Sequence, residues 1–436
     1  MRPPGDRDRA RRAVPAHGGA PAPRSGRPHD RPPGHRTLSP DPLRAPYFQD
    51  HLPVRESTDA VGHAVRQLYL NAGATDVALE TGDPGLRAAM DAQWASVHDR
   101  KMYLTGAYGS RQAGEAFGDD HELPPDVAYA ETCATIADLH WAWRMLLADG
   151  GAGAAAYAAA IERDTHNALA AAVDGTVTRF FYANPLQLRP DRLSGESTTR
   201  DRVPWFVCAC CPPNIARTVA QYGAYLASTR DATLHLHQLA AAELALPAEL
   251  GSGGVRVATD YPRSGRIEVE VSGAPAAGAE LAVRVPDWSS AAELVAPDGR
   301  RHARGADGYA RAPLTPGSYA LDLDLTPRFT RAHHRVDAVR GCVAVERGPL
   351  VYCVEQVDLP ADVAVDDLRV LVDRGIGVDA AGGLHVTCVV AAAEDGLYRP
   401  EGSVAGSGRE VDVPLLPFAE WGRRGSPAMR VWLPTA

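Results

Sequence analysis

The feature that most constrains this chain is a change of texture near residue 229. Over residues 47–226 apolar residues recur at helical spacing, whereas beyond Thr229 short alternating segments are divided by Gly, Pro and Asp turns. With 436 residues the chain exceeds one ordinary core, so the break reads as a domain boundary. The fold expected is multidomain α + β, with helices first and β-sandwiches after them.

Five helices are expected. Residues 56–71 place Ala60, Val61, Ala64, Val65 and Leu68 on one face, and 84–102 do the same with Leu86, Met90, Trp94 and Val97. Pro84 suits a first helical turn. Residues 131–147 and the Ala-rich 155–173 follow, and Asn214 is a candidate N-cap for a helix through Tyr222. Strands are expected at 266–271, 281–285 and 319–325, with a break between two sandwiches near 339–348. Residues 1–44 are Pro-, Arg- and Gly-rich, with hardly a large apolar residue before Leu38. Such a leader buries too little to offset its ordering entropy and should be disordered. The domains expected are this leader, 45–228 helical, 229–340 a β-sandwich and 341–436 a second one.

A net charge of −9 argues against a nucleic-acid partner. No apolar run reaches the length of a membrane span, and the basic N-terminus lacks the apolar core of a signal peptide. Three of the seven cysteines crowd together as Cys208, Cys210 and Cys211. That spacing makes a poor disulfide framework and fits reduced thiols serving a metal or catalysis in a cytoplasmic protein.

Chemistry concentrates in Glu131-Thr132-Cys133 and in Cys208-Ala209-Cys210-Cys211-Pro212-Pro213-Asn214. Glu131, Cys133, Cys210 and Cys211 offer one hard and three soft ligands, enough for a tetrahedral zinc site. A purely structural zinc knot, buried thiols without metal, or a redox pair at Cys208-x-Cys210 remain open at this point. Glu115 lies among Asp119, Asp120, His121 and Glu122, where a solvated acidic loop is the default reading. His63 reads as a core histidine on a helix face, and Phe180-Phe181-Tyr182 as a strand ending in a turn. Cys342, Cys353 and Cys388 fall in the β region and read as inert.

Gln49-Asp50-His51-Leu52-Pro53-Val54-Arg55-Glu56 with Gly62-His63-Ala64-Val65-Arg66 resembles a signature of the glycoside hydrolase family 127 β-L-arabinofuranosidases. Gly114-Glu115-Ala116-Phe117, Tyr129-Ala130-Glu131-Thr132-Cys133, Asn184-Pro185-Leu186 and Cys210-Cys211-Pro212-Pro213-Asn214 continue the similarity in family order. The resemblance implies an (α/α)6 catalytic barrel followed by β-sandwich domains, and a Zn2+-dependent retaining hydrolase acting on a small carbohydrate. It implies Glu131, Cys133, Cys210 and Cys211 as zinc ligands, Cys210 also as nucleophile, and Glu115 as general acid/base. His63, Glu162 and Tyr182 fall where the family contacts the sugar. Oligomeric state is left open, a homodimer included.

The helices found number about half of the dozen that a six-hairpin barrel needs. The expectation is therefore that only the C-terminal part of the barrel is present, the leader standing where the N-terminal half would be. A catalytically inactive truncated fragment with structural zinc, binding carbohydrate at most, is the alternative. Thr165-His166-Asn167 also departs from the Leu-Tyr-Asn run usual in the family.

Overall fold

Asp83 and Pro84 show how directly local chemistry sets the helical region. The Asp83 carboxylate accepts a hydrogen bond from the Leu86 amide at 3.0 Å, capping a helix that opens on Pro84. The structure, a computed structural model, describes residues 34–38, 41, 44–149, 151, 153–191, 193, 195–391, 398 and 408–436. The helices are α1 (Ala64–Thr81), α2 (Pro84–Arg100), α3 (Thr132–Asp149), α4 (Ala154–Asp164) and α5 (Cys211–Gln221). A π-helical turn, Thr165–Leu169, extends α4. An N-terminal helical region followed by β-sheet domains is thus the observed architecture. Most of the disordered leader expected at 1–44 lies outside the described residues. Within it, the Gly34, His35 and Leu38 amides donate to the Asp50 carboxylate at 2.7, 3.1 and 2.7 Å.

Two helix starts differ from expectation. The first expected helix begins at Ala64 rather than residue 56, because Gly62 turns the chain at φ 70° against Pro46. A Cβ there would lie 1.9 Å from the Pro46 carbonyl oxygen, so only glycine fits and no helix can run through it. His63 consequently sits at the N-cap of α1, not on an apolar helix face. At the other end, α5 starts at Cys211, three residues before Asn214, because Pro212 and Pro213 need no amide partner in a first turn. The Asn214 side chain instead accepts from the Tyr69 hydroxyl at 3.1 Å.

Helix α3 is buried along almost its whole length and packs against α1 and α4 around Leu68, Met90, Ile136, Leu139 and Trp141. Where α3 meets α4, Asp138 and Asp164 are both fully buried. The Tyr108 hydroxyl donates to Asp138 Oδ2 at 2.8 Å and lies 3.4 Å from Asp164 Oδ1, while His98 Nε2 is 3.1 Å from Asp138 Oδ2. Burial first, and then the facing Asp138 carboxylate, push the Asp164 carboxyl well above the ordinary range. A carboxyl raised on folding binds its proton more tightly in the native state. Its contribution is full below the ordinary Asp range and is lost as pH rises toward the raised value, by up to about 1.4 kcal/mol per pH unit. Asp164→Asn should flatten this decline, read as denaturant midpoints between acid and mildly alkaline pH. An unchanged slope would place the proton elsewhere.

Residues 227–322 form two packed sheets. One has six strands, Ala242–Ala245, Gly251–Thr259, Arg266–Pro275, Gly317–Asp322, Glu293–Val295 and Arg301–Ala303 in spatial order. The other has four, Tyr309–Pro313, Glu280–Arg284, Thr233–Leu236 and Ala227–Arg230, with one parallel pair in the middle. Their shared core of Val255, Ile267, Val269, Leu281, Val283, Tyr319 and Leu321 follows from the period of two in those strands. The break expected near 339–348 instead falls on a strand, Cys342–Arg347, which pairs with Arg328–Thr330. From there to Pro434 the strands join one connected ten-stranded sheet rather than two separate ones. Its edge takes in Gln187–Leu188 from the helical region.

The segment 162–167 ties the three parts together. Glu162 pairs with Arg284 and accepts from the Tyr261 hydroxyl at 2.6 Å. Arg163 reaches Glu346 at 3.2 Å. Asn167 donates to the Pro349 carbonyl at 3.0 Å and accepts from the Val351 amide at 2.8 Å. No helix among the described residues is long and apolar enough to cross a membrane.

Candidate active site

The N-termini of α3 and α5 point their first residues at one another. Thr132 fixes the start of α3 by donating its amide to the Tyr182 carbonyl at 2.9 Å and its hydroxyl to the Phe181 carbonyl at 2.7 Å. Glu131 forms a β-bridge with Ala183 in the same segment. This fixes Glu131 and Cys133 beside Tyr182, and the packing of α5 on α3 brings Cys210 and Cys211 to them. Cys133 Sγ and Cys211 Sγ are 3.6 Å apart, Cys210 Sγ lies 3.6 Å from Glu131 Oε1, and the two adjacent sulfurs are 3.7 Å apart. All four ligand atoms fall within 4.8 Å of one another. Residues distant in sequence thus close into one buried cluster that can hold a metal ion.

A second group adjoins the first through a shared member. His63, Glu115 and Glu131 also place one ligand atom each within 4.8 Å of the others. Glu115 is carried on a tight turn in which both Gly114 and Glu115 have positive φ, 74° and 52°. His63 Nε2 meets Glu115 Oε2 at 3.0 Å, and the Glu115 side chain is 32% exposed. Tyr129 also bonds to Glu115 and reaches Ser197 and Tyr182. The carboxylate therefore faces an open side, with Glu131 and the thiols behind it.

The electrostatics are divided among these groups. Hydrogen bonds from Cys133 and then Cys211 hold the Cys210 thiol well below the usual range, with further help from Tyr182 and Cys208. Cys133 and Cys211 are correspondingly pushed up. The N-terminus of α5 favours negative charge on the same sulfurs. Burial raises the Glu131 carboxyl, reinforced by Cys210 and Glu115. The hydrogen bond from His63 lowers Glu115. Glu131 Oε2 is buried without a protein partner. An orphaned carboxylate oxygen beside three sulfurs fits a cation better than it fits a packed core.

Of the expected site residues, the structure brings together His63, Glu115, Glu131, Cys133, Tyr182, Cys210 and Cys211. Glu162 belongs to neither group. Its carboxylate, expected to contact sugar, is taken up by Arg284 and Tyr261. Tyr129, which begins the same five-residue motif as Glu131 and Cys133, was not among the expected site residues although it bonds to Glu115. Phe206 packs on Phe180 and Tyr182, at centroid distances of 5.1 and 5.5 Å, while Trp205 and Val207 beside it are exposed. Cys342, Cys353 and Cys388 are buried in the C-terminal sheet, and burial raises the Cys388 thiol to about 12.

Known proteins share this arrangement of domains. The family model for the β-L-arabinofuranosidase GH127 catalytic domain matches residues 24–224, that for the middle domain 233–313, and that for the family 127 C-terminal domain 327–434. A non-reducing end β-L-arabinofuranosidase of Bifidobacterium longum subsp. longum is 35% identical over 414 residues, or 88% of this chain and 61% of the relative. A GH127 β-L-arabinofuranosidase from Geobacillus stearothermophilus T6 superposes with a TM-score of 0.80 at 32% identity, covering 90% of this chain and 63% of that one. A further solved structure, described as a glycoside hydrolase, gives a TM-score of 0.81 at 30% identity, covering 89% and 69%. The chain spans about three fifths of the length of the curated relative.

These matches define a multidomain glycoside hydrolase scaffold. The chain belongs to glycoside hydrolase family 127. One expectation is overturned with that finding. The expectation that only the C-terminal part of the barrel is present, with the leader standing where the N-terminal half would be, does not hold: the catalytic-domain match begins at residue 24, inside the leader. Catalytic, middle and C-terminal family domains are all represented.

Proposed function

We propose that this protein is a zinc-dependent retaining glycoside hydrolase that releases β-L-arabinofuranose from arabinofuranosides, with helices α1–α5 forming part of an (α/α)6 barrel. The observation that carries the reading is the sharing of Glu131 between a thiol group containing Cys210 and an acid group containing Glu115. The similar Bifidobacterium and Geobacillus proteins are β-L-arabinofuranosidases, which supports the sugar.

Glu131, Cys133, Cys210 and Cys211 would hold zinc, whose charge keeps sulfur ionised at neutral pH. Retaining hydrolysis ordinarily pairs a nucleophilic carboxylate with an acid/base carboxyl. Here the Cys210 sulfur replaces the nucleophile. It attacks the anomeric carbon, the C–S bond forming as the glycosidic C–O bond breaks, and Glu115 gives its proton to the leaving oxygen. Glu115 then takes a proton from water, whose oxygen displaces sulfur and regenerates the thiolate. Substrate that covers the open side of Glu115 desolvates it, which raises its carboxyl toward the value an acid needs. His63 holds the Glu115 carboxylate in place, and His63 and Tyr182 contact the sugar. Glu162 is assigned to domain contact instead.

Glu115→Gln should lower turnover by about 10²- to 10⁴-fold while bound metal stays unchanged. Steady-state rates on an aryl arabinofuranoside, measured beside metal content, check this, and unchanged hydrolysis would remove Glu115 from the role. Prolonged chelation should remove zinc and activity together, and added zinc should restore both. Activity that survives complete metal loss would exclude the zinc part of the reading.

A further inference from the structure

Behind the loop that leads to His63, between α1 and α2, is a small cavity of about 10 Å³ lined by Gln49, His51, Ser57, Gln67, Asn71 and Gln93 among others. Gln67, Asn71 and Gln93 are 2%, 0% and 0% exposed. Each carries a buried polar atom with no protein partner: Gln67 Oε1, Asn71 Nδ2 and Gln93 Oε1, with His51 Nδ1 as a fourth. Buried polar groups in folded proteins are nearly always satisfied, so several orphans around one cavity require an explanation.

Each amide spends one end on a neighbour and turns its other end to the cavity. Gln67 Nε2 donates to Asn71 Oδ1 at 2.9 Å, which leaves an oxygen of Gln67 and a nitrogen of Asn71 unpaired. The two hydrogens of Gln93 Nε2 are shared among the Ser57 carbonyl, the Ser57 hydroxyl and the Asp59 carbonyl, at 3.0, 2.9 and 2.9 Å, which leaves its oxygen unpaired. The cavity therefore presents two acceptors and one donor, a count that holds for either joint orientation of Gln67 and Asn71.

We propose that this cavity is a binding site for a single water molecule, which donates to Gln67 Oε1 and Gln93 Oε1 and accepts from Asn71 Nδ2. Its size is about that of one water, and three polar partners are the usual number for a buried one. The Asn71 amide donor disfavours a cation, and the two carbonyl oxygens disfavour an anion. The water links α1 to α2, and Gln49 lines the same cavity. Gln49 in turn donates to the Val61 and His63 carbonyls at 3.2 and 3.4 Å. It is thus part of the support for the backbone of His63.

Crystals of the full chain, diffracting well enough to show ordered solvent and grown with rubidium chloride, test the site directly. The expected map has one non-anomalous peak within hydrogen-bonding distance of the three amide atoms. An anomalous peak there would show a monovalent cation and overturn the assignment, as would amides that bond one another around an empty cavity. In solution, water-oxygen magnetic relaxation dispersion should count one long-lived internal water fewer in Gln67→Met than in the parent. An equal count would overturn the proposed contacts, and the crystal result stands alone if that variant does not fold.

Discussion

Cys210→Ser is expected to lower turnover by at least about 10⁴-fold, the scale seen when a catalytic nucleophile is removed. A serine hydroxyl is not ionised by the neighbours that depress the Cys210 thiol, namely Cys133, Cys211 and Tyr182. The substitution should also weaken metal binding, since Cys210 stands in the four-residue ligand group. Kinetics must therefore be read beside metal content. Cys133→Ser is the useful partner variant, because it removes a ligand and leaves the nucleophile. If Cys210→Ser retains parental turnover, the nucleophile is wrong. If both variants lose activity only in proportion to metal, Cys210 acts as a ligand and not as the attacking atom.

The second large effect is on stability. Arg284→Met should destabilise the chain by about 3–5 kcal/mol, because it strands the buried Glu162 carboxylate without its cation. Arg284 and Glu162 side chains are 1% and 4% exposed, so water cannot replace the lost partner. The guanidinium also donates to the His237 carbonyl at 2.7 Å within the middle region, so its pairing with Glu162 is what joins that region to the helices. Adding Glu162→Gln to Arg284→Met should recover much of the loss, since the stranded charge is then gone. Denaturant midpoints of the single and double variants provide the comparison. A silent Arg284→Met would mean that Glu162 is free to do something else, sugar contact included.

The sequence made the order of helices and sheets legible because periodicity is a local signal. Residues 84–102 and 266–271 carry their caps and alternation within a few positions, and both were placed closely. The first helix was misplaced because Gly62 turns for a distant reason, the Pro46 carbonyl pressed against its Cα. The break at 339–348 failed similarly, since Cys342–Arg347 is defined by strands that reach it from 328–330 and 433–434. The site was legible only as two fragments, 131–133 and 210–211. Nothing local to either shows that the helices they open, α3 and α5, pack together and close the thiols into one cluster. Glu162 was misplaced because an acidic residue on a helix looks the same whether its partner is a sugar or Arg284. Resemblance carried the site further than spacing could, and it underestimated how much of the catalytic domain the leader region matches.

The central claim is that sulfur, not oxygen, attacks the sugar. Rapid acid quenching of the Glu115→Gln variant during reaction with an activated arabinofuranoside, followed by peptide mass analysis, tests it most directly. The account predicts one added pentosyl group on the peptide containing Cys210 and none after Cys210→Ser. A pentosyl ester on Glu131 or another carboxylate, or turnover of the parent with inverted configuration, would contradict it.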